Sequence, residues 1–304
     1  MKRWTMELLL LIVVVIWGTN YTIGKYGVIE ITPVEFTAIR MIIAAPFLLL
    51  IAMALERSIH IKRKDVFHLI IVSMVGVTLY QSFSMLTIKY ISATNASLLI
   101  SISPIFTMIF SLFFKQEKFS KQKLIGSVIA FTGTILILLV HDPSSNQKNV
   151  MIGTIIGILT SMSWGLYPIL ATPLVNKYSA LRVIAWSTMI GAIPLVLLTG
   201  SSIVFIPFHL NQTSWLALLY AIFFVTIFGL VTWYVGVQKI GATNTMVYMF
   251  LTPFTAVLFA AIWAKEHIYI QQVVGGIIIF IGLWLVKHQR KTRVNEHDYD
   301  SNIL

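Results

Sequence analysis

The chain has 304 residues, of which 58% are hydrophobic and 11% charged, at a mean hydropathy of +0.87. A soluble domain averages about half apolar and a quarter charged, so the excess is too large for one globular core to hide, which excludes a water-soluble enzyme. The lack of cysteine excludes disulfides, thiolate metal sites and cysteine nucleophiles, and the net charge of +11 has to be read by position, because membrane proteins gather Lys and Arg on one side.

A membrane-spanning helix takes about 20 mostly apolar residues. Ten stretches meet this, predicted at 6–24, 34–55, 66–87, 93–114, 124–141, 151–172, 182–200, 214–236, 243–263 and 270–286. The fold expected is an all-α integral membrane protein of ten transmembrane helices. The first stretch opens on Lys2 and Arg3 like a signal peptide. Trp17, Asn20 and Tyr21 follow its apolar run where a small-residue cleavage site would stand, so it is expected to remain as a span. It offers Trp17, Asn20 and Gly24 toward a cavity. The second carries Arg40, the one full charge inside a span, about 10 Å from its outer end at 1.5 Å per residue. Snorkelling, holding a neighbouring helix by its carbonyls, and meeting an anionic substrate group are all open to Arg40, with the structural roles favoured.

The third stretch places Ser73, Tyr80, Ser84 and Thr87 on one helical face, with Gln81 beside them. In the fourth, Thr94, Ser97, Ser101, Pro104, Met108 and Ser111 form a similar stripe. The fifth carries Gly126 and Gly133, seven residues apart, which suits close helix packing within the fold or between two copies. Ser161, Trp164, Tyr167 and Pro168 mark the sixth; Thr226, Gly229, Trp233 and Gly236 the eighth; Asn244, Tyr248, Thr252 and Pro253 the ninth; Gly275 and Gly282 the tenth. The small residues are read chiefly as packing. Large polar or aromatic groups near mid-depth (Tyr80, Gln81, Trp164, Tyr167, Trp233 and Tyr248) are read as cavity wall or core, because Trp and Tyr ordinarily sit at the membrane interface. Asn211-Gln212-Thr213 is a glycosylation triplet of the kind that occurs by chance. Residues 287–304 are expected to be a polar, disordered tail on the cytoplasmic side.

With both termini cytoplasmic, only Lys25, Lys89, Lys148 and Lys265 fall outside; every other Lys and Arg, save Arg40, falls inside. That asymmetry explains the positive charge without nucleic acid. The partners expected are the bilayer and a small-molecule substrate, with a monomer or homodimer both compatible.

Residues 91–95 read Ile-Ser-Ala-Thr-Asn and residues 240–244 read Ile-Gly-Ala-Thr-Asn, an offset of 149. At that offset Pro104 matches Pro253, Glu117 matches Glu266, Gly126 matches Gly275 and Gly133 matches Gly282, while Trp17-Gly18 answers Trp164-Gly165 at 147. The chain reads as a duplication, with repeats at 1–142 and 150–286 followed by the tail. Five spans per repeat is odd, so the two must cross in opposite senses, as two inverted five-helix repeats with N-in/C-in topology. Secondary transporters are often built so, with the substrate at the midplane where the halves meet. Pro104 and Pro253 in corresponding mid-span positions are the expected kinks or hinges.

All carboxylates and histidines lie in loops, tails or span edges, so no proton relay or catalytic dyad stands at depth. Gly24-Lys25 lacks the rest of a phosphate-binding loop, which excludes ATP-driven transport by this chain alone. No enzyme activity, metal or cofactor is expected.

From about residue 6 to 286 the chain resembles the EamA-type carriers of the drug/metabolite transporter superfamily. The resemblance rests on Trp17-Gly18-Thr19-Asn20-Tyr21, Phe36…Arg40, Ala93…Ser103-Pro104, and Glu117 leading to Gly126 and Gly133. It rests equally on the second copy of that block, from Ala242 and Pro253 through Glu266 to Gly275 and Gly282. It implies a carrier in a prokaryotic inner membrane that exports or exchanges amino acids or other small metabolites through a cavity drawn from the first, third, fourth, sixth, eighth and ninth spans. The small multidrug-resistance branch uses a glutamate in the first helix for proton antiport. Val13 to Trp17 occupy that depth here, and Glu7 is too near the cytoplasmic end. The substrate-binding residues expected are Trp17, Asn20, Tyr21, Tyr80, Gln81, Ser84, Ser101, Trp164, Tyr167, Trp233 and Tyr248, with Arg40, Pro104 and Pro253 structural or hinge positions. The function expected is alternating-access transport of an amino acid, as exporter or facilitator. An exporter of drugs or nucleosides, and a channel or scaffold, are the alternatives.

Overall fold

The computed structural model describes residues 3–56, 58–90, 99–138, 147–200, 203, 210–263 and 269–287. The Ile91–Asn95 block, Thr94, Ser97, Glu266, the tail and the side chain of Tyr21 lie outside the described residues. All regular structure among the described residues is helical. We label the rods α1 (Arg3–Gly27), α2 (Pro33–Glu56), α3 (63–90), α4 (Ser103–Phe113), α5 (Lys121–Leu138), α6 (Gln147–Lys177), α7 (Ala180–Thr199), α8 (212–240), α9 (242–263) and α10 (Ile270–Lys287). Among the described residues, seven helices are long and apolar enough to cross a membrane: Trp4–Gly24, Pro33–Glu56, Arg63–Thr87, Met151–Lys177, Ala180–Thr199, Gln212–Ile240 and Ala242–Phe259. Ser103–Phe113 and Val273–Val286 are shorter apolar helices.

Local chemistry sets several boundaries. Thr32-Pro33-Val34-Glu35 is a capping box: the Thr32 amide donates to Glu35 Oε2 at 2.8 Å and the Glu35 amide to Thr32 Oγ1 at 3.3 Å. Pro33, at the first helical position, needs no hydrogen bond there. Ser179 caps α7 by accepting from the Arg182 amide, and Asn211 caps α8 by accepting from the Ser214 amide, a structural use for the side chain of the glycosylation triplet. Gly241, at φ 89°, ends α8 and turns the chain into α9, a conformation that a side chain would strain.

Two rods widen in mid-course. Met74–Leu79 in α3 and Ala221–Leu230 in α8 are π-helical turns, a feature found often at functional sites. In the first, Gly76 lets the Tyr167 ring lie where a Cβ would be. In the second, the Val225 carbonyl accepts from Trp17 Nε1 at 3.1 Å.

Pro104 and Pro253 do not kink continuous helices. Each occupies the first turn of a new segment, after the turn at Ser101–Ile102 in one case and the tight 3-10 turn Val247–Leu251 in the other. A first-turn proline lacks only an amide that has no intrahelical partner anyway.

The glycines of α5 and α10 face one another. A Cβ on Gly126 would stand 2.7 Å from the Gly282 carbonyl oxygen, and one on Gly133 2.6 Å from that of Gly275. The rods therefore run antiparallel with backbones in near contact, so this seam is intramolecular. Elsewhere Thr107 Oγ1 donates to the Gly165 carbonyl and Thr78 Oγ1 to that of Gly191, both at 2.9 Å, drawing α4 to α6 and α3 to α7. Thr255 Oγ1 reaches the Val14 carbonyl at 3.2 Å and joins α9 to α1. One large core, from Met6 and Leu10 through Tyr167, Tyr234 and Phe250, fills the centre.

Candidate functional site: a central cavity

A cavity of about 260 Å³ opens within the bundle. Its wall takes residues from α1 (Trp17, Asn20, Gly24), α2 (Phe36, Thr37, Arg40, Met41) and α3 (Gly76, Val77, Tyr80, Gln81, Ser84, Met85). Ile100, Trp164 of α6, Val225, Thr226 and Leu230 of α8, and Met249 and Thr252 of α9 complete it, with Val28 and Pro33 at the α1–α2 turn. Spacings of three and four residues put each set on one helix face. The wall runs from mid-bundle toward the 28–32 connection.

Aromatic rings close the other direction. Tyr80 stacks on Trp164 with centroids 4.6 Å apart. Trp17 meets Trp164 edge-on at 5.6 Å and leans on Trp233 at 4.8 Å. Behind Trp164 lies Tyr167 at 6.0 Å, then Tyr234, 4.8 Å beyond it. Six rings from α1, α3, α6 and α8 are thus in continuous contact, in the offset and edge geometries that aromatic quadrupoles favour.

Of the residues expected to bind substrate, Trp17, Asn20, Tyr80, Gln81, Ser84 and Trp164 line the cavity together. Tyr167, Trp233 and Tyr248 are buried in the core behind them, and Ser101 is buried outside the wall. Depth along a helix is legible in a sequence, but which face is turned inward is not. Arg40, expected chiefly in a structural role, stands in the wall itself and is only 8% exposed. Thr37 and Met41 beside it bring α2 into the cavity, a helix that the sequence reading left out. A signal was there: a full charge inside a span is costly and ordinarily turns to the protein interior.

Some polar atoms on this wall have no hydrogen-bond partner: Asn20 Oδ1, Arg40 Nε, Trp164 Nε1 and Thr252 Oγ1. Buried polar atoms are normally paired, so these wall residues carry two N–H donors, a carbonyl acceptor and a hydroxyl that the fold leaves without a hydrogen bond.

Away from the cavity, the end carrying residues 58–62, 114–120, 178–179 and Gly241 is closely tied. Arg182 donates through Nε and Nη2 to Glu56 Oε2 at 3.1 and 3.0 Å and through Nη1 to the His60 carbonyl. Ser179 Oγ donates to Glu56 Oε1. Lys177 Nζ and Tyr178 OH both donate to Asp65 Oδ2. Glu117 accepts from Lys123 Nζ at 2.8 Å and from the Thr243 amide at 3.2 Å, at the start of α9 where the helix dipole favours an anion.

The EamA-like transporter family matches the chain twice, over residues 4–139 and 151–287. Two uncharacterized transporters of Archaeoglobus fulgidus are 27% identical over 282 residues (92% of this chain, 96% of the relative) and 28% identical over 290 (95% and 100%). A probable amino-acid metabolite efflux pump of Escherichia coli is 23% identical over 288 residues, covering 91% of this chain and 93% of its own. A solved crystal structure has the same fold at a TM-score of 0.77 and 16% identity, covering 93% of this chain and 96% of that one.

Proposed function

The chain belongs to the EamA-like transporter family, and on that premise we propose that it is a secondary carrier of a small metabolite, an amino acid, working by alternating access in a prokaryotic plasma membrane. The observation that carries this reading is the polar-dotted cavity at the junction of α1, α2, α3, α6, α8 and α9. Its volume of about 260 Å³ falls below the roughly 300–1,000 Å³ of sites for drug-sized ligands, which favours a metabolite over a bulky drug. The name of the Escherichia coli relative points the same way.

The two repeats cross the membrane in opposite senses in this proposal. The antiparallel pairing of Gly126 with Gly282 and of Gly133 with Gly275 supports it, since the partners exchange places under the offset of 149. With Lys and Arg gathered on the cytoplasmic side, the cavity faces outward, and the aromatic floor and the ion-paired end seal the inside. Transport then rocks the halves so that the seal passes to the other side of the same site.

Counterflow in proteoliposomes loaded with unlabelled amino acids tests the proposal. Accumulation of a labelled trace that survives collapse of ion gradients is the expected result, and a channel gives none. Tyr80→Ala and Trp164→Ala are each expected to abolish accumulation while expression and monodispersity hold. Flux that survives both overturns the cavity assignment, and no accumulation of any amino acid overturns the substrate class.

A further inference from the structure

Arg40 brings a full charge into the bundle. It lies seven residues into α2, about 10 Å from the Pro33 end, only 8% exposed and part of the cavity wall. No carboxylate among the described residues pairs with it, and its Nε is buried without a partner. The contrast with Arg182 is direct. That arginine does structural work here through three bonds, two to Glu56 and one to the His60 carbonyl. A brace at Arg40 would show the same kind of bonds to neighbouring carbonyls, and a snorkelling side chain would reach the surface. Arg40 does neither.

An unpaired charge held out of water is costly, and proteins retain one where something supplies the counter-charge. The space beside Arg40 is the cavity. A guanidinium edge made of Nε and a terminal nitrogen is the fork that a carboxylate accepts with both oxygens. On the same wall Asn20 Oδ1 is an unpartnered acceptor, suited to an N–H donor of the same solute. The second repeat has no counterpart to the charge, for the offset of 147 that pairs Trp17 with Trp164 sets Ser187 against Arg40 and Tyr167 against Asn20.

We infer that Arg40 is the receptor for the carboxylate of the transported solute, so that the cavity selects acids over their amides and amines. This rests on the carrier reading and gives its site a chemical class. Thermal stabilisation of the purified protein by the twenty amino acids, each beside its amide and its decarboxylated amine, tests the assignment without any variant. At least one acid is expected to stabilise, and its amide and amine are expected to fail. Arg40→Gln is expected to weaken that acid at least about thirty-fold, the scale for truncating one partner of a buried, hydrogen-bonded charge pair, and Arg40→Lys to restore part of the loss. The ligand-free melting temperature of Arg40→Gln should stay level or rise, where a structural role would lower it. Equal binding of acid and amide, no stabilisation by any acid, or unchanged affinity in Arg40→Gln overturns the assignment. Counterflow separates this failure from that of the carrier reading: one-for-one exchange of a neutral solute, unaffected by Arg40→Gln, keeps the carrier and removes the carboxylate receptor.

Discussion

At the end of the bundle bearing residues 58–62 and 178–179, the described contacts between the first and second halves run largely through charge: Arg182 with Glu56, and Lys177 and Tyr178 with Asp65. At the opposite end, bearing residues 28–32 and 210–211, α1 and α8 are joined by the Asn211 amide to Glu30 at 2.8 Å and by Ser214 Oγ to the Tyr26 carbonyl at 3.0 Å. The Arg182–Glu56, Lys177–Asp65 and Lys123–Glu117 ion pairs lie at the first end, and the cavity leads toward the second. Apolar packing of α2 on α8, through Phe36, Ile39, Leu218 and Ile222, holds the open end together. The difference teaches how a bundle can be closed on one side only. Packing is non-directional and lets helices tilt, whereas an ion pair held by two N–H donors on one carboxylate oxygen fixes two helix ends in one arrangement.

Because the chain has no cysteine, a single Ser84→Cys on the cavity wall reports which end admits a membrane-impermeant maleimide. Labelling from the 28–32 side alone is expected in the unaltered background. Arg182→Ala should break the comparison most. It removes three bonds to a carboxylate and a carbonyl, and hydrogen bonds to charged groups contribute about 1.5–3 kcal/mol each side of such a pair. Labelling from the tied side should rise by tenfold or more, since about 1.4 kcal/mol is a factor of ten. Glu117→Gln should act more weakly, by roughly 1 kcal/mol and a few-fold in rate, because an amide oxygen still accepts from the Thr243 amide while the Lys123 pair is lost. Asp65→Asn is weaker again, as the Lys177 side chain is 36% exposed and solvent screens the pair. Equal effects of all three would mean that closure does not rest on these bonds.

How far these features were readable beforehand depends on the kind of information each one needs. Apolar length placed the helices, and the glycines at 126, 133, 275 and 282 marked a seam, though only coordinates show that its partners lie in one molecule. The cavity wall was legible where an aromatic or amide residue stood at depth, as with Trp17, Asn20, Tyr80, Gln81 and Trp164. Tyr167 and Trp233 satisfy the same criterion and lie behind the wall, because azimuth around a helix apolar on all sides leaves no trace in composition. The same obscurity hid α2, whose Arg40 was weighed by its distance from the interface. In the fold α2 packs against α7 and α8, and Arg40 stands in the cavity wall at 8% exposure. The prolines at 104 and 253 signalled interruptions, and the segments break there because a first-turn proline costs a helix start nothing.

The smallest effect is expected at the open end, and it is the one that isolates the comparison. Glu30 is exposed, and its described bond is to a backbone amide that the side-chain oxygen of glutamine accepts as well. Glu30→Gln therefore removes a charge without removing a tie, and its stability should stay within about 0.5 kcal/mol of the parent, as for surface substitutions in general. Labelling of Ser84→Cys from the 28–32 side should hold within about twofold, with none gained from the tied side. Asp65→Asn also trades a carboxylate for an amide, but there the lost charge has a lysine opposite it. If Glu30→Gln opened the tied side as far as Asp65→Asn does, loss of negative charge at either end would suffice. Closure would then follow the summed field of the molecule rather than the bonds that join its two halves.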